Sequence, residues 1–229
     1  MRKCLCLVSL CLLFAFPSFA DTVLSENFNS VGSLPGSGWA IVNDSAPVGS
    51  TNWFQGNTGV FDAQSGPADS YVAANFNAAA FGGNISDWLI TPEISLASNL
   101  ALTFFTRTEP FAFPGDTLEV RLSTNGASTD VGATDSSVGD FTTLLLTIGT
   151  GTDYPTDWTG YTININGLGL GAEGRIAFRY VVTDTSANGD YIGLDTVNVV
   201  TTPEPATLPL LLLGVVAMVS RRWLRNRAA

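Results

Sequence analysis

The sequence predicts an all-β protein, built as an antiparallel sandwich or jelly roll, and two observations carry this prediction. Residues 21–200 contain about ten short apolar runs separated by turns rich in Gly, Asn and Pro. No stretch of this region repeats its apolar residues with the 3.6-residue period of a helix. Many short strands without intervening helices are typical of antiparallel sandwiches and jelly rolls.

The clearest predicted strand covers residues 116–123, where Leu118, Val120 and Leu122 alternate with polar residues, so that one face is buried and the other wet. Asn188-Gly189 favours a tight reversal, and we expect the strands on either side of it to pair as a closing hairpin. The polar stretches 47–58 and 123–140 are predicted to be surface loops. The other predicted strands are 22–28, 39–42, 70–76, 87–94, 100–107, 142–148, 161–165, 174–183 and 191–200.

Residues 1–20 have the pattern of a secretory signal peptide. Arg2 and Lys3 precede an apolar run at 4–16, and small residues stand at the −3 and −1 positions of a cut after Ala20. A membrane anchor is the weaker alternative because the apolar run is too short to span a bilayer. All three cysteines lie in this segment, so the mature chain has no disulfide, no cysteine-bound zinc and no cysteine nucleophile.

Residues 201–229 differ from the rest of the chain. A Pro-Glu-Pro tripeptide is followed by an apolar segment at 206–219 and then by an arginine cluster. A helix over about 206–224 is long enough to cross the inner membrane, with the arginines on the cytoplasmic side. This order of parts resembles the PEP-CTERM sorting signal of Gram-negative bacteria. The resemblance implies cleavage by an exosortase-type enzyme and release of an inner-membrane-anchored precursor to the cell surface or extracellular matrix; a plain single-pass anchor is the alternative. The residues concerned are Pro203, Glu204, Pro205, Arg221 and Arg222.

The charge of the exported region excludes several functions. Residues 21–202 contain nineteen Asp and Glu, four Arg, and no Lys or His, which gives a net charge of −15. Such a surface repels phosphate, so nucleic acid is not an expected partner. Without His, Cys or Lys the common catalytic triads and the histidine zinc sites are also absent. A carboxylate-pair glycosidase is the remaining enzymatic possibility, but Glu119 has no neighbouring acid on its strand face. We therefore expect a protein that is not an enzyme.

Five short motifs, in this order, resemble the choice-of-anchor J domain, which is related to the cleaved-adhesin and MAM-type jelly rolls. The resemblance covers most of residues 23–200 and implies a concanavalin-like sandwich with a role in adhesion or surface recognition. The motifs are Glu26-Asn27-Phe28, Gly38-Trp39, the Asp-Trp-Leu-Ile-Thr-Pro block at 87–92, residues 175–180 and Tyr191-Ile-Gly-Leu-Asp195.

Two groups of acidic residues are candidate ligands for Ca²⁺. Glu26, Asp87 and Asp195 each interrupt or border an apolar strand, where an inward carboxylate is costly unless it is paired or metal-bound. The second group imitates a calcium loop, with oxygen ligands at its first, third, fifth and twelfth positions and a glycine at the sixth. A polar hairpin turn explains this segment equally well. Its candidate ligands are Asp184, Asn188, Asp190 and Asp195.

Three tryptophans are candidate ligand contacts. Trp39, Trp53 and Trp158 stand beside Gly, Asn, Thr and Asp, in or next to predicted loops, where an exposed indole could stack on a sugar ring. The alternative is that each one plugs an end of the sandwich. The sequence as a whole predicts an exported adhesion domain that binds extracellular polysaccharide or matrix, and a structural matrix component without a specific ligand is the alternative.

Overall fold

The computed structural model describes residues 20–110, 112–149 and 154–202. Residues 21–202 form one compact unit. The predicted signal peptide, apart from Ala20, and the sorting tail from residue 203 onward lie outside the described residues. Within the described ranges, no helix is long and apolar enough to cross a membrane.

The described chain is all-β, as predicted, with two short 3-10 turns at Val31–Ser37 and Phe76–Ala78. Most predicted strands are found within a few residues of their predicted ends. The strands are β1 (Thr22–Glu26), β2 (Ala40–Asn43), β3 (Ala46–Val48), β4 (Phe54–Gln55), β5 (Val72–Asn75), β6 (Ala79–Ile90), β7 (Ile94–Ser95), β8 (Leu100–Thr108), β9 (Thr117–Ser123), β10 (Thr143–Ile148), β11 (Thr159–Ile165), β12 (Glu173–Val182) and β13 (Tyr191–Thr201).

The strands form two antiparallel sheets. The six-stranded sheet has the order β11-β8-β13-β5-β4, and β1 also pairs with β13. The seven-stranded sheet has the order β10-β9-β12-β6-β2, with β3 paired to β6 and β7 paired to β12. In the six-stranded sheet β5 and β1 follow each other along one edge of β13, while β8 pairs with the other edge.

The main hydrophobic core lies between the two sheets. Leu102 and Phe104 of β8 and Leu118 and Val120 of β9 are completely buried in it, and the Phe104 ring meets the edge of the Phe178 ring at 5.2 Å. Each such side chain contributes about 1.5–3 kcal/mol when it is removed from water. The alternation of apolar and polar residues in the sequence therefore corresponds to the inward and outward faces of the strands.

The predicted closing hairpin is wrong. β12 and β13 belong to different sheets, because both edges of β12 are already paired, one with β9 and the other with β6. The segment between them does reverse at Gly189, whose φ of 85° is in the left-handed region that favours glycine. The reversal carries the chain across the sandwich instead of into a hairpin.

The outer face of the seven-stranded sheet is covered by the segment 124–142. Val131 and Phe141 pack on Trp88 and Ile90 in a second, smaller core. This predicted loop is thus at the surface, but its apolar residues are buried beneath it.

The two ends of the sandwich differ in what they carry. β13 runs from one end to the other, about 33 Å for its eleven residues. Thr22 pairs with Val200, and the Thr201 amide donates to the Asp21 carbonyl at 2.8 Å, so both termini of the domain lie where β13 ends. We call this end the terminal pole, and the opposite end, where β13 begins at Tyr191, the distal pole.

Candidate functional site

Asp87 lies on the inner face of β6, between the sheets. It is fully buried, and neither of its carboxylate oxygens has a hydrogen-bond partner in the described part of the chain. Burial raises the pKa of Asp87 well above its usual range. Asp87 is therefore a buried acid between the sheets, and in the described residues it belongs to no group of three metal-ligating side chains.

Asp195 and Glu26 lie on neighbouring strands of the six-stranded sheet. The Asp195 carboxylate is buried and accepts hydrogen bonds from the amides of Gln64 (2.9 Å), Ser65 (3.2 Å) and Thr196 (2.6 Å). Burial raises the pKa of Asp195 to about 6, although these amides act to lower it. Glu26 is paired with Val197, two positions from Asp195. Glu26 and Asp195 therefore belong to the same sheet, and Asp87 lies in the other one.

The Gln55 side chain makes hydrogen bonds to several backbone groups close to Glu26. Its Oε1 accepts from the Val31 amide at 2.8 Å, which fixes the side-chain orientation. Its Nε2 donates to the carbonyls of Phe28 (2.9 Å) and Asp69 (2.6 Å), while Glu26 accepts from the Phe28 amide at 2.7 Å. In the described residues no three acids are grouped so that they could hold a metal ion.

The segment 184–195 does not form the predicted calcium loop. The Asp184 carboxylate accepts from the Ser186 amide and hydroxyl, and the Asn188 side chain donates to the Thr183 carbonyl. Asp190 begins the path into β13, and Asp195 stands five residues further along it, about 16 Å away in an extended strand. The residues form a turn, and the extended backbone separates the twelfth position from the first.

Two of the three predicted ligand tryptophans are buried. Trp39 meets the edge of the Phe28 ring at 5.6 Å, and Trp53 donates from Nε1 to the Asp87 carbonyl at 3.1 Å, both in the core. Neither indole can stack on a sugar, and both plug the sandwich as in the alternative. Trp158 is half-buried at the distal pole, where its Nε1 donates to the Asp62 carbonyl at 2.9 Å.

A cavity of about 250 Å³ lies at the distal pole. Its walls come from the end of β8, the connection to β9 and the segment before β11. Phe113 forms one wall and is 67% exposed. Gly115 holds this wall against the turn before β13, because a Cβ there would lie 2.8 Å from the Asn188 side chain. The lining residues are Thr108, Ala112, Phe113, Pro114, Gly115, Asp116, Tyr154 and Thr156.

Asp116 is the buried polar residue of the cavity. Its carboxylate accepts hydrogen bonds from the Tyr180 hydroxyl (2.6 Å), the Asp190 amide (2.9 Å) and the Thr108 hydroxyl (3.2 Å). Burial raises the pKa of Asp116, although these donors act to lower it. A hydrogen bond with Asp190 raises the pKa of the nearby Glu109. Burial also keeps Tyr154 neutral by raising its pKa well above the usual range. The site thus combines carboxylate acceptors with neutral hydroxyls.

This arrangement suits a small hydroxylated ligand. The cavity volume lies below the roughly 300–1,000 Å³ of pockets that enclose drug-sized molecules. The cavity therefore fits a single ring or the end of a polymeric ligand. Asp116 and the hydroxyls of Thr108, Tyr154 and Thr156 provide hydrogen-bonding groups, and Phe113 provides an apolar wall. Sequence reasoning did not find this site, because its walls come from loops far apart in the chain.

Glu119, the acid considered for glycoside hydrolysis, is in an ion-pair network. It accepts from Arg121 at 2.7 Å and from Arg179 at 3.1 Å. Burial acts to raise the pKa of Glu119, but the two arginines lower it overall, which favours a carboxylate over a proton donor.

Comparison with known proteins shows the fold. The K3 cleaved adhesin domain of Lys-gingipain from Porphyromonas gingivalis is 23% identical, with a TM-score of 0.54 over 80% of this chain and 100% of that one. The K1 domain of the same protein is 22% identical, with a TM-score of 0.55 and the same coverage. No family model matches the chain, and no curated protein matches it. The chain therefore has the β-sandwich fold that these adhesin domains have.

Proposed function

We propose that the chain is an exported choice-of-anchor J-type domain that binds an extracellular glycan at its distal pole. On this proposal the tail is a PEP-CTERM sorting signal that holds the precursor in the inner membrane before an exosortase-type enzyme releases it. The observation that carries the proposal is the position of the cavity, at the pole opposite both termini.

A domain that is held by its C-terminal end turns its far end to the surroundings. The distal pole lies about 33 Å from the point where β13 ends. It also carries three exposed phenylalanines, Phe76 (44%), Phe81 (88%) and Phe113 (67%). Exposed aromatic residues at one end of a soluble domain are typical of a binding surface. The position of the exposed aromatic residues, at the pole opposite both termini, therefore supports a role in adhesion.

The chemistry of the cavity favours a neutral sugar. The carboxylate of Asp116 and the hydroxyl of Thr156 line the cavity and can accept hydrogen bonds from sugar hydroxyls, and the Phe113 ring can cover the C–H face of a sugar. The net charge of −15 disfavours polysaccharides rich in uronic acid or sulfate. We therefore expect binding to neutral chains and weak or no binding to anionic ones.

Affinity electrophoresis against neutral and anionic polysaccharides tests the binding. Phe113→Ala should weaken binding to the best neutral polysaccharide about tenfold, which corresponds to about 1.4 kcal/mol. Phe81→Ala is the matched control, because Phe81 is more exposed, lies at the same pole and does not line the cavity. Equal affinities of the two variants would show that the cavity is not the binding site.

The same panel distinguishes the alternative functions. Absence of binding to every polysaccharide, together with loss of matrix cohesion when the protein is deleted, would favour a structural matrix component. New reducing ends in the bound polysaccharide would favour a carboxylate-dependent hydrolase.

The sorting proposal has its own experiment. Cells that express the chain or its Glu204→Ala variant are fractionated, and the intact mass of the protein is measured. The wild-type product should end near the tripeptide 203–205, whereas the variant should keep the tail and stay with the membrane. A wild-type product that retains the full tail would rule out cleavage and leave the plain anchor.

A further inference from the structure

The loop between β11 and β12 presents two leucines to solvent at the terminal pole. Leu168 is 55% exposed and Leu170 is completely exposed. Glycines alternate with them, and Gly169 and Gly171 have φ values of 95° and 81°, in the left-handed region. The loop sequence from 166 to 172 is Asn-Gly-Leu-Gly-Leu-Gly-Ala and contains no charged residue. The tip of this loop is therefore apolar and uncharged.

The loop lies beside the point where the chain leaves the domain. The Asn99 side chain accepts from the Gly167 amide at 2.7 Å, and the Asn99 carbonyl accepts from the Thr202 amide at 2.8 Å. The Leu168 amide donates to the Leu96 carbonyl at 2.8 Å. One residue, Asn99, thus fixes both the base of the loop and the last described residue.

The short linker after Thr202 limits the distance between the domain and the apolar segment that follows it. The apolar segment begins at Ala206, four residues after Thr202. Four residues span at most about 14 Å even when they are fully extended. The headgroup region on one side of a bilayer is about 5–8 Å thick. If the segment enters a membrane, the terminal pole must therefore lie close to the headgroups.

We propose that the loop 166–172 rests in the headgroup region of the membrane, with Leu168 and Leu170 in contact with lipid. The proposal rests on the membrane anchoring stated under Proposed function. Because the loop is uncharged and the domain is acidic, the lipid it suits is zwitterionic. The contact would fix the tilt of the domain, so that the distal pole faces away from the membrane.

The test uses the chain from Asp21 to its C-terminus, which contains the whole compact domain and no cysteine. Leu170→Cys is labelled with an environment-sensitive fluorophore, and the protein is reconstituted into phosphatidylcholine vesicles with and without doxyl-labelled lipid. Phe81→Cys is the matched control, since Phe81 is 88% exposed at the distal pole. We expect a blue shift and at least twofold doxyl quenching for the label at position 170, and neither change at position 81.

The outcomes separate the loop contact from the anchoring. Protein that floats with the vesicles but keeps an aqueous, unquenched label at position 170 overturns the loop contact and leaves the anchoring intact. A blue shift without doxyl quenching also overturns it, because another protein surface then covers the leucines. Protein that does not float with the vesicles contradicts the anchoring itself, and the loop contact with it.

Discussion

Replacing Asp87 by Asn should make the domain more stable at neutral pH. Asp87 is fully buried between the sheets, and its carboxylate has no partner in the described residues, so ionisation in the folded state is strongly disfavoured. Burial raises its pKa well above the usual range, while the unfolded chain loses the proton near pH 3.8. Asparagine has nearly the same shape and cannot ionise, so it removes the pH-dependent cost.

Proton linkage gives the sign and size of the change in the free energy of unfolding with pH. Where the folded protein keeps the Asp87 proton and the unfolded chain has released it, each unit of rising pH lowers the free energy of unfolding by about 1.4 kcal/mol. The stabilisation by this group is complete below pH 3.8 and is lost as the pH rises toward the folded-state pKa. Over two pH units the loss is about 3 kcal/mol, a large share of the 5–15 kcal/mol that a domain usually has.

Urea unfolding followed by tryptophan fluorescence between pH 4 and pH 7 measures this. Other buried acids also titrate, so the relevant quantity is the difference between wild type and Asp87→Asn, which should grow with pH by about 1.4 kcal/mol per unit. Asp157→Asn, at an exposed position, is the control for the change from Asp to Asn itself. If the difference does not grow with pH, Asp87 is not held protonated in the folded protein over this range, and the reasoning is refuted.

Three further predictions concern a bridging side chain, a candidate calcium ligand and a core aromatic residue. Gln55→Ala should lower the free energy of unfolding in urea by about 2–4 kcal/mol, because it leaves the Phe28 and Asp69 carbonyls and the Val31 amide without this partner. A loss below about 0.5 kcal/mol would mean that water replaces the side chain. If Ca²⁺ binds at Asp195, it should raise the melting temperature more at pH 7 than at pH 5, because the pKa of about 6 leaves the carboxylate largely protonated at pH 5. Identical melting curves with calcium and with chelator would eliminate the site. Phe104→Ala should lower the free energy of unfolding by about 3–5 kcal/mol in chemical denaturation and should leave the glycan affinity of the folded protein unchanged. A loss of affinity in the folded variant would mean that the core affects the cavity.

The strands could be predicted from the sequence because their signal is local. In the predicted strand 116–123, the alternation of Leu118, Val120 and Leu122 needs only seven consecutive residues to be recognised, and the structure has β9 at Thr117–Ser123. The pairing of the last two strands could not be predicted in the same way. Asn188-Gly189 indicates a reversal, but whether β13 joins β12 depends on whether β9 and β6 already occupy the edges of β12.

The candidate site was harder to predict than the fold. The sequence shows Asp87 as an acid in an apolar strand, but its lack of a partner in the described residues depends on every residue around it. Trp39 follows a glycine and Trp53 follows an asparagine, residues that are common in loops, yet both indoles are buried in the core. The cavity joins Phe113 to Tyr154, about forty positions further along the chain, and no short motif records that proximity.

The central position of β13 has a mechanical consequence. A domain anchored at Thr201 and bound to a ligand at the distal pole is pulled along the axis of β13. Eight residues of β13 are in register with β8, so the hydrogen bonds between these strands lie across the direction of pulling and are loaded together in shear. Because such bonds must break together instead of one after another, the pairing of β13 with β8 is suited to resist tension between the two poles of the domain.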